Sequence, residues 1–324
     1  MLTTTSGQQL ISSSPCRSSN LESSSKCETV SLIIVNYNAR ECIVACVSSA
    51  LAQVDELIVV DNASNDDSLA QLEATFPSEQ KLMIVRNQEN LGFAAGCNIG
   101  VEHSAGRYLL FLNPDCVLEP DSVRHLLRVL NDRQDVGMVG GLLVNPDGTE
   151  QAGGRRAIPT PWRSFVRAFG LSRFADRWPS LFFDFHLHKQ PLPTRPIEVE
   201  AISGACMLVN RAAIQSVGHW DEGYFLHCED LDFSMTLRGK GWKIMFVPDA
   251  RINHDKGGCS RSRPLFVEWH KHRGMMRFYR KFFKHQYPGP LMWLVALGIW
   301  FRFGLVASYL SALRFLRHLG IQRG

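Results

Sequence analysis

VSLIIVN, at Val30–Asn36, is the first of four short apolar runs in the amino-terminal half of the chain. The other three are ELIVVD at Glu56–Asp61, KLMIVR at 81–86 and YLLFL at Tyr108–Leu112. A continuous apolar run of this length is typical of a strand that is buried on both faces. Stretches with helical periodicity follow these runs at 40–53, 66–76, 93–104 and 120–130. The alternation predicts βαβ units, and therefore an α/β fold with a mostly parallel central sheet and flanking helices.

The remainder of the chain is less regular. Residues 145–196 are rich in proline, arginine and aromatic residues without a clear period, which predicts a long irregular excursion on the acceptor side. Regular pattern returns at 199–209, in a helix at Glu229–Gly239 and in a strand near 242–247. After Pro264 the pattern is helical to the end, with a break at 287–290.

Composition sets the broad class of the protein. The chain has 324 residues, of which 45% are hydrophobic and 20% charged, as in a folded protein with a sizeable core. Residues 1–28 are serine-rich and predict a disordered tail without the apolar segment of a signal peptide. The nine cysteines are scattered without a C-x-x-C pair, which favours a reduced, cytosolic compartment.

Charge is unevenly distributed. Residues 251–324 carry 14 lysines and arginines against two acidic residues, a net charge of +12, so the rest carries −8 of the total of +4. An acidic body with a basic tail predicts that the tail meets an anionic partner, for which nucleic acid, anionic lipid and a phosphate-bearing substrate are all candidates.

The first polar cluster follows the second apolar run and reads DNASND at 61–66. Ligands of parallel sheets bind beyond the carboxyl ends of the strands, where Asp61 could accept a hydrogen bond from a base imide or a ribose hydroxyl. The alternative is a helix N-cap, for which Ser64, Asn65 and Asp66 are suitable. The two interpretations are compatible, because different residues of the cluster would carry them.

Two further positions are candidates for cation or phosphate chemistry. Asn113-Pro-Asp115 directly follows YLLFL, and Mg²⁺ binds through one or two carboxylates together with substrate oxygens. The same tripeptide is also favourable in a tight turn, so a cation site and a turn both remain open. His254 precedes a glycine pair at 257–258 and could bind metal or diphosphate, with a surface loop as the alternative.

Two more motifs lie at predicted helix starts. NLGFAAGCNIG at 90–100 brings glycines into a helix, where the backbone could approach a phosphate. Glu229-Asp230-Leu-Asp232 places three carboxylates in the first turn of another helix. The helix dipole explains that placement, and a general base is the functional alternative. G-x-G-x-x-G after the first strand and a P-loop motif are both absent, which disfavours dehydrogenases and P-loop NTPases.

Together these motifs resemble family 2 glycosyltransferases, and more closely their rhamnosyltransferase-like branch. The matching pieces, in order from Val30 to Lys284, are VSLIIVNYN, VDNASNDDS, NLGFAAGCNIG, FLNPDC, SGACMLVNR, GYFLHCEDLDF with GW after it, and a His…Gly-Gly…Ser segment. The resemblance implies a GT-A fold of nucleotide-diphospho-sugar transferases over 29–262. Its nucleotide-sugar half would be 29–140 and its acceptor half 197–262, followed by basic and apolar helices at 263–324.

The resemblance also implies roles for residues. Asp61 would recognise the nucleotide base, Asp115 would hold Mg²⁺ or Mn²⁺ together with His254, and Asp230 would be the general base with Glu229 beside it. The D-x-D element of the family reads Asn113-Pro-Asp115 here, with one carboxylate missing. The residues expected to bind the nucleotide sugar are Val35, Asn36, Tyr37, Asn38, Asp61, Asn90, Gly92, Phe93, Asn98, Asn113 and Gly204.

The function implied is inverting transfer of a sugar from a nucleotide diphosphate to a hydroxyl of a glycan or lipid-linked glycan, with dTDP-rhamnose as the first donor and a UDP-hexose as the second. A non-catalytic GT-A-like protein that binds a nucleotide sugar or a glycolipid is the alternative. A nucleotidyltransferase is disfavoured because 36–40 (NYNAR) contains no glycine. Nucleic acid is not expected as a partner, because the basic region is interleaved with a long apolar stretch.

That apolar stretch is 291–313, which has 23 residues and a single charge, Arg302. As a helix it would be about 35 Å long, enough to span a bilayer core. Arg302 in its middle disfavours a simple spanning helix, and packing against the body is a further alternative. The basic residues before it favour a helix lying at the membrane surface. We therefore expect a peripheral or monotopic protein at the cytoplasmic face of the inner membrane.

Overall fold

The computed structural model describes residues 28–168, 170–175, 177–182, 185, 187–255 and 263–318. The predicted disordered tail up to residue 27 and the glycine pair after His254 lie outside these residues. The strands are β1 (Val30–Asn36), β2 (Glu56–Asp61), β3 (Leu82–Arg86), β4 (Tyr108–Leu112), β5 (Cys116–Leu118), β6 (Val136–Val144), β7 (Arg155–Arg156), β8 (Ile197–Glu198), β9 (Ala201–Ile202), β10 (Cys206–Asn210) and β11 (Lys243–His254). The helices are α1 (Cys42–Ala50), α2 (Ser68–Thr75), α3 (Phe93–Glu102), α4 (Ser122–Asp132), α5 (Pro161–Ala168), α6 (Arg211–Val217), α7 (Glu229–Gly239), α8 (Pro264–Phe283) and α9 (Gly289–His318).

The central sheet has the strand order β3-β2-β1-β4-β10-β6-β11-β5, with β8 paired to β11. The four strands predicted from apolar runs, β1 to β4, form its parallel part. β10 is antiparallel to both β4 and β6, whereas β11 is parallel to β6 and antiparallel to β5 and β8. The sheet as a whole is therefore mixed, and β7 pairs with β9 in a separate two-stranded ribbon.

Helices cover both faces of the sheet, so the molecule has three layers. Side chains alternate across a strand, and Leu32 and Ile34 of β1 pack in the core that faces α1, α2 and α4. Ile33 and Val35 pack in the core that faces α3, α6 and α7. This two-sided burial explains why β1 reads as a continuous apolar run.

The sequence predictions differ from the structure in the second half of the chain. β6 was not predicted, because Gly137, Gly140 and Gly141 dilute its apolar pattern. A Cβ at Gly141 would lie 2.4 Å from the Ala250 carbonyl oxygen, so only glycine fits beside β11 there. The excursion at 145–196 is not wholly irregular, since it contains β7, α5 and two 3₁₀ turns at Leu171–Phe174 and Leu187–Lys189.

The carboxy-terminal helices form a hairpin, and the break predicted at 287–290 falls between them. Phe278, Tyr279 and Phe283 of α8 pack against Tyr224 and Leu231 of the body. α9 contacts the same cluster through one stripe, formed by Met292, Val295 and Ile299. The part of α9 from Gly289 to Leu316 is long and apolar enough to cross a membrane, by its length and composition alone.

Candidate active site

The carboxyl ends of β1 and β2 form a buried polar network. Asn36 and Asp61 are register partners, and Asn36 Nδ2 donates to Asp61 Oδ1 at 2.8 Å. Ser64 donates to the same carboxylate twice, through its backbone N–H at 3.0 Å and its hydroxyl at 2.6 Å. Asp61 is only 3% exposed, and Asn36 Oδ1 is buried without a hydrogen-bond partner among the described residues. The network fixes the Asp61 carboxylate and leaves one amide oxygen available to a donor group.

The turns around this network position other predicted residues. Asn38 adopts a left-handed backbone (φ 55°), receives the Asn65 N–H on its Oδ1 at 2.8 Å, and donates its own N–H to the Ser64 hydroxyl at 3.0 Å. Tyr37 is partly exposed beside it, whereas the Val35 side chain is core. Of the three predicted cap residues, Asp66 accepts the Ser68 N–H on its Oδ1 at 3.1 Å, whereas the N-cap position of α2 is Asp67, whose side chain makes no capping hydrogen bond.

The start of α3 is occupied by protein rather than open to a phosphate. Phe93 N–H donates to the Phe225 carbonyl at 2.9 Å, and a Cβ on Gly92 would lie 2.6 Å from that oxygen. Gly92 has φ 90° and donates its N–H to Asn90 Oδ1 at 2.9 Å. The prediction of phosphate at this helix end is therefore wrong for the Phe93 N–H, because its hydrogen bond is already made.

Asn98 is also placed differently from the prediction. Its Nδ2 donates to the Trp220 carbonyl at 3.0 Å and to Glu222 Oε1 at 2.7 Å, and its Oδ1 accepts the Trp220 N–H at 2.9 Å. Both amide protons are thus used in joining α3 to a segment 122 residues away. Asn98 therefore has no amide proton left to donate to a nucleotide sugar.

Asp115 and His254 meet at the other side of β4. Asn113 begins the turn, since its carbonyl accepts the Cys116 N–H at 3.1 Å, so the turn interpretation is confirmed. The turn directs Asp115 towards the end of β11, where its Oδ1 lies 3.3 Å from His254 Nε2. Both side chains are nearly buried, and they line a cavity of about 370 Å³ together with Asn253 and Asp255.

The environment of His254 suits a cation. Gln151 Nε2 is held by Asn145 Oδ1 at 3.0 Å and by the His254 carbonyl at 3.1 Å, so its Oε1 faces His254 Nδ1 at 2.6 Å. Nδ1 then carries the hydrogen, and a neutral ring presents the lone pair of Nε2 to the Asp115 carboxylate. Two facing acceptors are favourable only with a cation or proton between them, and carboxylate and imidazole are known ligands of divalent metals.

Cys116 completes a group of three whose ligand atoms lie within 4.8 Å of one another, but its chemistry differs. Its thiol contacts the Ala205 carbonyl at 3.5 Å. Burial, assisted by the charge of Asp115, raises the pKa of this thiol well above its usual value. A protonated thiol is a poor ligand for Mg²⁺ or Mn²⁺, so Asp115 and His254 are the two residues that fit.

Asp230 lies in the first turn of α7, where the backbone approaches the loop before β10. Gly204 N–H donates to Asp230 Oδ2 at 3.0 Å, and Leu231 N–H donates to Oδ1 at 2.8 Å. Arg156 forms an ion pair with Oδ2. Asp230 is mostly but not fully buried, so Oδ1, which has a single protein donor, can accept a further hydrogen bond.

Glu229, the neighbour of Asp230, is in a different state. It is 7% exposed, and its Oε2 is buried without a hydrogen-bond partner among the described residues. Burial, with a contribution from the Asp230 charge, raises the pKa of Glu229 to about 8. A buried carboxyl group whose pKa is raised in this way is typical of acid–base sites.

Two residues of this site were missed by sequence reasoning, and both lie in the excursion at 145–196. Gln151 orients His254, and Arg156 pairs with Asp230. Neither has a periodic signal, and the ribbon β7 that carries Arg156 is only two residues long. The one available signal was the adjacent pair of arginines at 155–156.

Comparison with known proteins identifies the family. The family model described as glycosyl transferase family 2 matches residues 31–218, more than half of the chain. The chain belongs to glycosyl transferase family 2. The matched range includes β1 to β4, Asp61, Asp115 and Gly204 and ends before α7.

Curated family 2 relatives cover most of the chain. An N-acetylglucosaminyl-diphospho-decaprenol L-rhamnosyltransferase of Mycobacterium tuberculosis is 26% identical over 260 residues, covering 77% of this chain and 82% of the relative. A low-salt glycan biosynthesis hexosyltransferase of Haloferax volcanii is 25% identical over 221 residues, covering 67% of this chain and 64% of the relative. The resemblance to the rhamnosyltransferase-like branch of family 2 is thus confirmed.

Solved structures confirm the GT-A-like fold of this family 2 chain. A mannosyltransferase from Pyrobaculum calidifontis, solved with GDP-mannose and Mn²⁺, has a TM-score of 0.52 and 14% identity, covering 91% of this chain and 81% of its own. GalNAc-T7, solved with UDP, GalNAc and Mn²⁺, has a TM-score of 0.53 and 18% identity, covering 70% of this chain and 43% of its own. Both neighbours were solved with a divalent cation.

We expect Mn²⁺ to stabilise the protein thermally and Asp115→Ala to abolish that stabilisation, because the variant removes the carboxylate that faces His254. Gln151→Ala should weaken Mn²⁺ binding about 10- to 100-fold, the usual effect of losing a group that orients a ligand. Thermal unfolding at increasing Mn²⁺ checks both. Asp249→Asn, which changes an exposed carboxylate, is the control, and an unchanged Mn²⁺ response in Asp115→Ala would contradict the site.

The state of Glu229 predicts a pH-dependent stability. The unfolded chain loses this proton near the usual glutamate pKa of 4.5, whereas the raised pKa of the folded protein keeps the proton bound to about pH 8. Stability contributed by the protonated group is therefore lost as pH rises from about 4.5 to 8. Glu229→Gln should be more stable than the parent at pH 8 by at least about 1 kcal/mol, the value of one pKa unit, and similar to it at pH 4.5.

Urea unfolding of both proteins at the two pH values measures this difference. Glu102→Gln, at an exposed position of α3, should leave the pH dependence as it is in the parent. Equal stabilisation by Glu229→Gln at both pH values would argue against a buried neutral carboxyl group.

Proposed function

We propose that this chain is an inverting glycosyltransferase, which moves a sugar from a nucleotide diphosphate to a hydroxyl of a lipid-linked glycan. Asp61 is assigned to the nucleotide base, Asp115 and His254 to a divalent cation at the diphosphate, and Asp230 to the acceptor hydroxyl. The proposal takes dTDP-rhamnose as the first donor to test, and a UDP-hexose as the second.

The observation that carries the proposal is the placement of these groups along one edge of the sheet. β2, β1, β4 and β10 are neighbours, and Asp61, Asn36, Asn113 and Gly204 lie at their ends on the same side. Asp61 at the end of β2 and Gly204 beside β10 are three strand spacings apart, roughly 14 Å. That length suits an extended nucleotide diphosphate with its sugar, with the base at Asp61 and the sugar near Gly204 and Asp230.

Asp230 is suited to the role of general base. Its Oδ2 is occupied by Arg156 and by the Gly204 N–H, whereas in the part of the chain that the structure describes Oδ1 receives the Leu231 N–H alone. An acceptor hydroxyl that donates to Oδ1 would give up its proton there as its oxygen forms a bond to the anomeric carbon. The bond from that carbon to the diphosphate breaks on the opposite face, so the configuration inverts without a covalent enzyme intermediate.

A cation held by Asp115 and His254 would supply positive charge to the leaving diphosphate. The facing acceptors at this site and the cavity beside them support that assignment. Mg²⁺ and Mn²⁺ are both compatible with a carboxylate and an imidazole, and solved neighbours of the same fold contained Mn²⁺.

The choice of donor and acceptor rests on relatives. The mycobacterial relative is named for transfer of L-rhamnose to an N-acetylglucosaminyl diphospholipid. A lipid diphosphate acceptor would also account for the net charge of +12 after residue 250 and for the apolar face of α9. On this basis we assign the protein to the cytoplasmic face of a membrane, as a peripheral or monotopic enzyme.

The carboxy-terminal helices are attached directly to the catalytic helix. Lys281 of α8 donates to Asp232 Oδ1 at 2.8 Å, and Asp232 Oδ2 accepts the Tyr224 hydroxyl at 2.9 Å. On α9, Trp293 is 74% exposed and Phe301 is 70% exposed. A membrane that covers this face would bring a lipid-linked acceptor close to α7.

Asp230→Asn should lower kcat about 10²- to 10⁴-fold, the usual contribution of a general base, while donor affinity stays within a few-fold. The assay measures transfer from dTDP-rhamnose, or from UDP-hexoses, to an N-acetylglucosaminyl diphospholipid with Mn²⁺ or Mg²⁺. Asp132→Asn, at an exposed position of α4, is the matched control.

Turnover of Asp230→Asn within a few-fold of the parent would eliminate this residue as the base. Metal-dependent donor binding without any turnover by the parent would instead favour a protein that binds the nucleotide sugar without catalysis.

The membrane assignment predicts that the full chain floats with anionic vesicles in a density gradient. The double variant Leu297→Ser and Phe301→Ser should bind these vesicles at least tenfold more weakly, since it removes two exposed apolar side chains of α9. Met83→Ser with Leu192→Ser, which changes exposed apolar side chains elsewhere, should float as the parent does. Equal flotation of the two double variants would refute the assignment to α9.

A further inference from the structure

The ribbon strand β7 carries two adjacent arginines whose side chains make different contacts. Arg155 is 1% exposed and pairs with Glu150 at 2.7 Å, while its Nη2 also donates to the Gln190 carbonyl at 2.9 Å. Arg156 contacts Asp230 instead. Because successive side chains of a strand point to opposite faces, the ribbon holds Arg155 as a structural ion pair and brings Arg156 to α7.

Arg156 contacts Asp230 through a single nitrogen. Its Nη2 pairs with Asp230 Oδ2, and its Nε is buried without a hydrogen-bond partner among the described residues. The Gly204 N–H donates to the same Oδ2 at 3.0 Å. Two donors on one oxygen and one donor on the other fix the plane of the carboxylate, so Oδ1 keeps a lone pair free of protein donors.

The charges around Asp230 come from three elements. His227, Cys228 and Glu229 belong to the same segment as Asp230. Arg156 lies on β7. Lys271 and Glu268 of α8 interact electrostatically with His227. His227 is exposed to solvent, and burial raises the pKa of the Cys228 thiol. Arg156 is therefore the cation in direct contact with the Asp230 carboxylate among the described residues.

We propose that Arg156 is a positioning residue of the transfer reaction: its guanidinium holds the Asp230 carboxylate so that Oδ1 faces the acceptor hydroxyl. The inference rests on the proposed function, since it needs Asp230 to be the general base. Arg156 is assigned no contact with the donor. Loss of the arginine should therefore slow the chemical step and leave donor binding unchanged.

Arg156→Gln tests the inference by separating kcat from the KM for the donor. At pH 7 kcat should fall about tenfold or more, as expected for a misplaced catalytic group, with the KM for the donor unchanged. Arg156→Lys should restore most of kcat, because the pair uses a single nitrogen.

Arg124→Gln, which removes an arginine whose side chain is 73% exposed on α4, is the control and should leave kcat and the donor KM unchanged. Thermal unfolding of each variant is measured alongside. If Arg156→Gln does not fold, Arg156→Lys carries the test, since the inference requires its kcat to stay near that of the parent.

Three results would overturn the inference: a kcat of Arg156→Gln that equals that of the parent, no gain in kcat from lysine over glutamine, or a raised donor KM with unchanged kcat. The Asp230→Asn measurement keeps the two proposals apart. An active Asp230→Asn refutes the proposed base, whereas an inactive Asp230→Asn with an unaltered kcat of Arg156→Gln refutes only the role of Arg156.

Discussion

The antiparallel pairing of β10 with β4 is the constraint on which the rest of the site depends. Cys206 is the register partner of Leu112, and the Asn113 N–H donates to the Ala205 carbonyl at 2.9 Å. This pairing puts the loop before β10 beside the turn after β4. Gly204 can then reach Asp230 on one side while Asp115 faces His254 on the other. A parallel β10 would carry that loop to the opposite edge of the sheet.

The parts of the fold that could be predicted are those whose local pattern matches their environment. β1, β2 and β4 are buried on both faces and read as apolar runs, and the boundaries of α7 were predicted correctly. β6 escaped in part because Gly141 serves the approach of β11 at Ala250, which is 109 residues further along the chain. The contacts of Asn98 escaped for a similar reason, since its partner Trp220 is 122 residues away.

The candidate site divides in the same way. Asp61, Asp115 and Asp230 lie at the ends of strands or at the start of a helix. Their positions can therefore be recognised from the neighbouring sequence. Gln151 and Arg156 act by touching other side chains across the fold. The adjacent arginines at 155–156 are the one signal near them, and that signal does not indicate which side chains they contact.

Arg302, the charged residue in the middle of α9, contacts polar side chains of α8. Arg302 Nη1 lies 2.8 Å from His272 Nε2 and 3.9 Å from Glu268 Oε2, so the arginine is directed to α8 rather than to the exposed apolar face. The hairpin therefore keeps one apolar face that is not interrupted by this cation.

The hydrogen bonds that join α3 to the segment before α7 bear on how such enzymes can be recombined. Asn98 holds Trp220 and Glu222, and Phe225 covers Gly92, so α3 and residues 220–225 pack as one block. A chimera that exchanges only residues 29–140 with another member of the family would cut through this block. A crossover point after Phe225, immediately before α7, would leave the block intact.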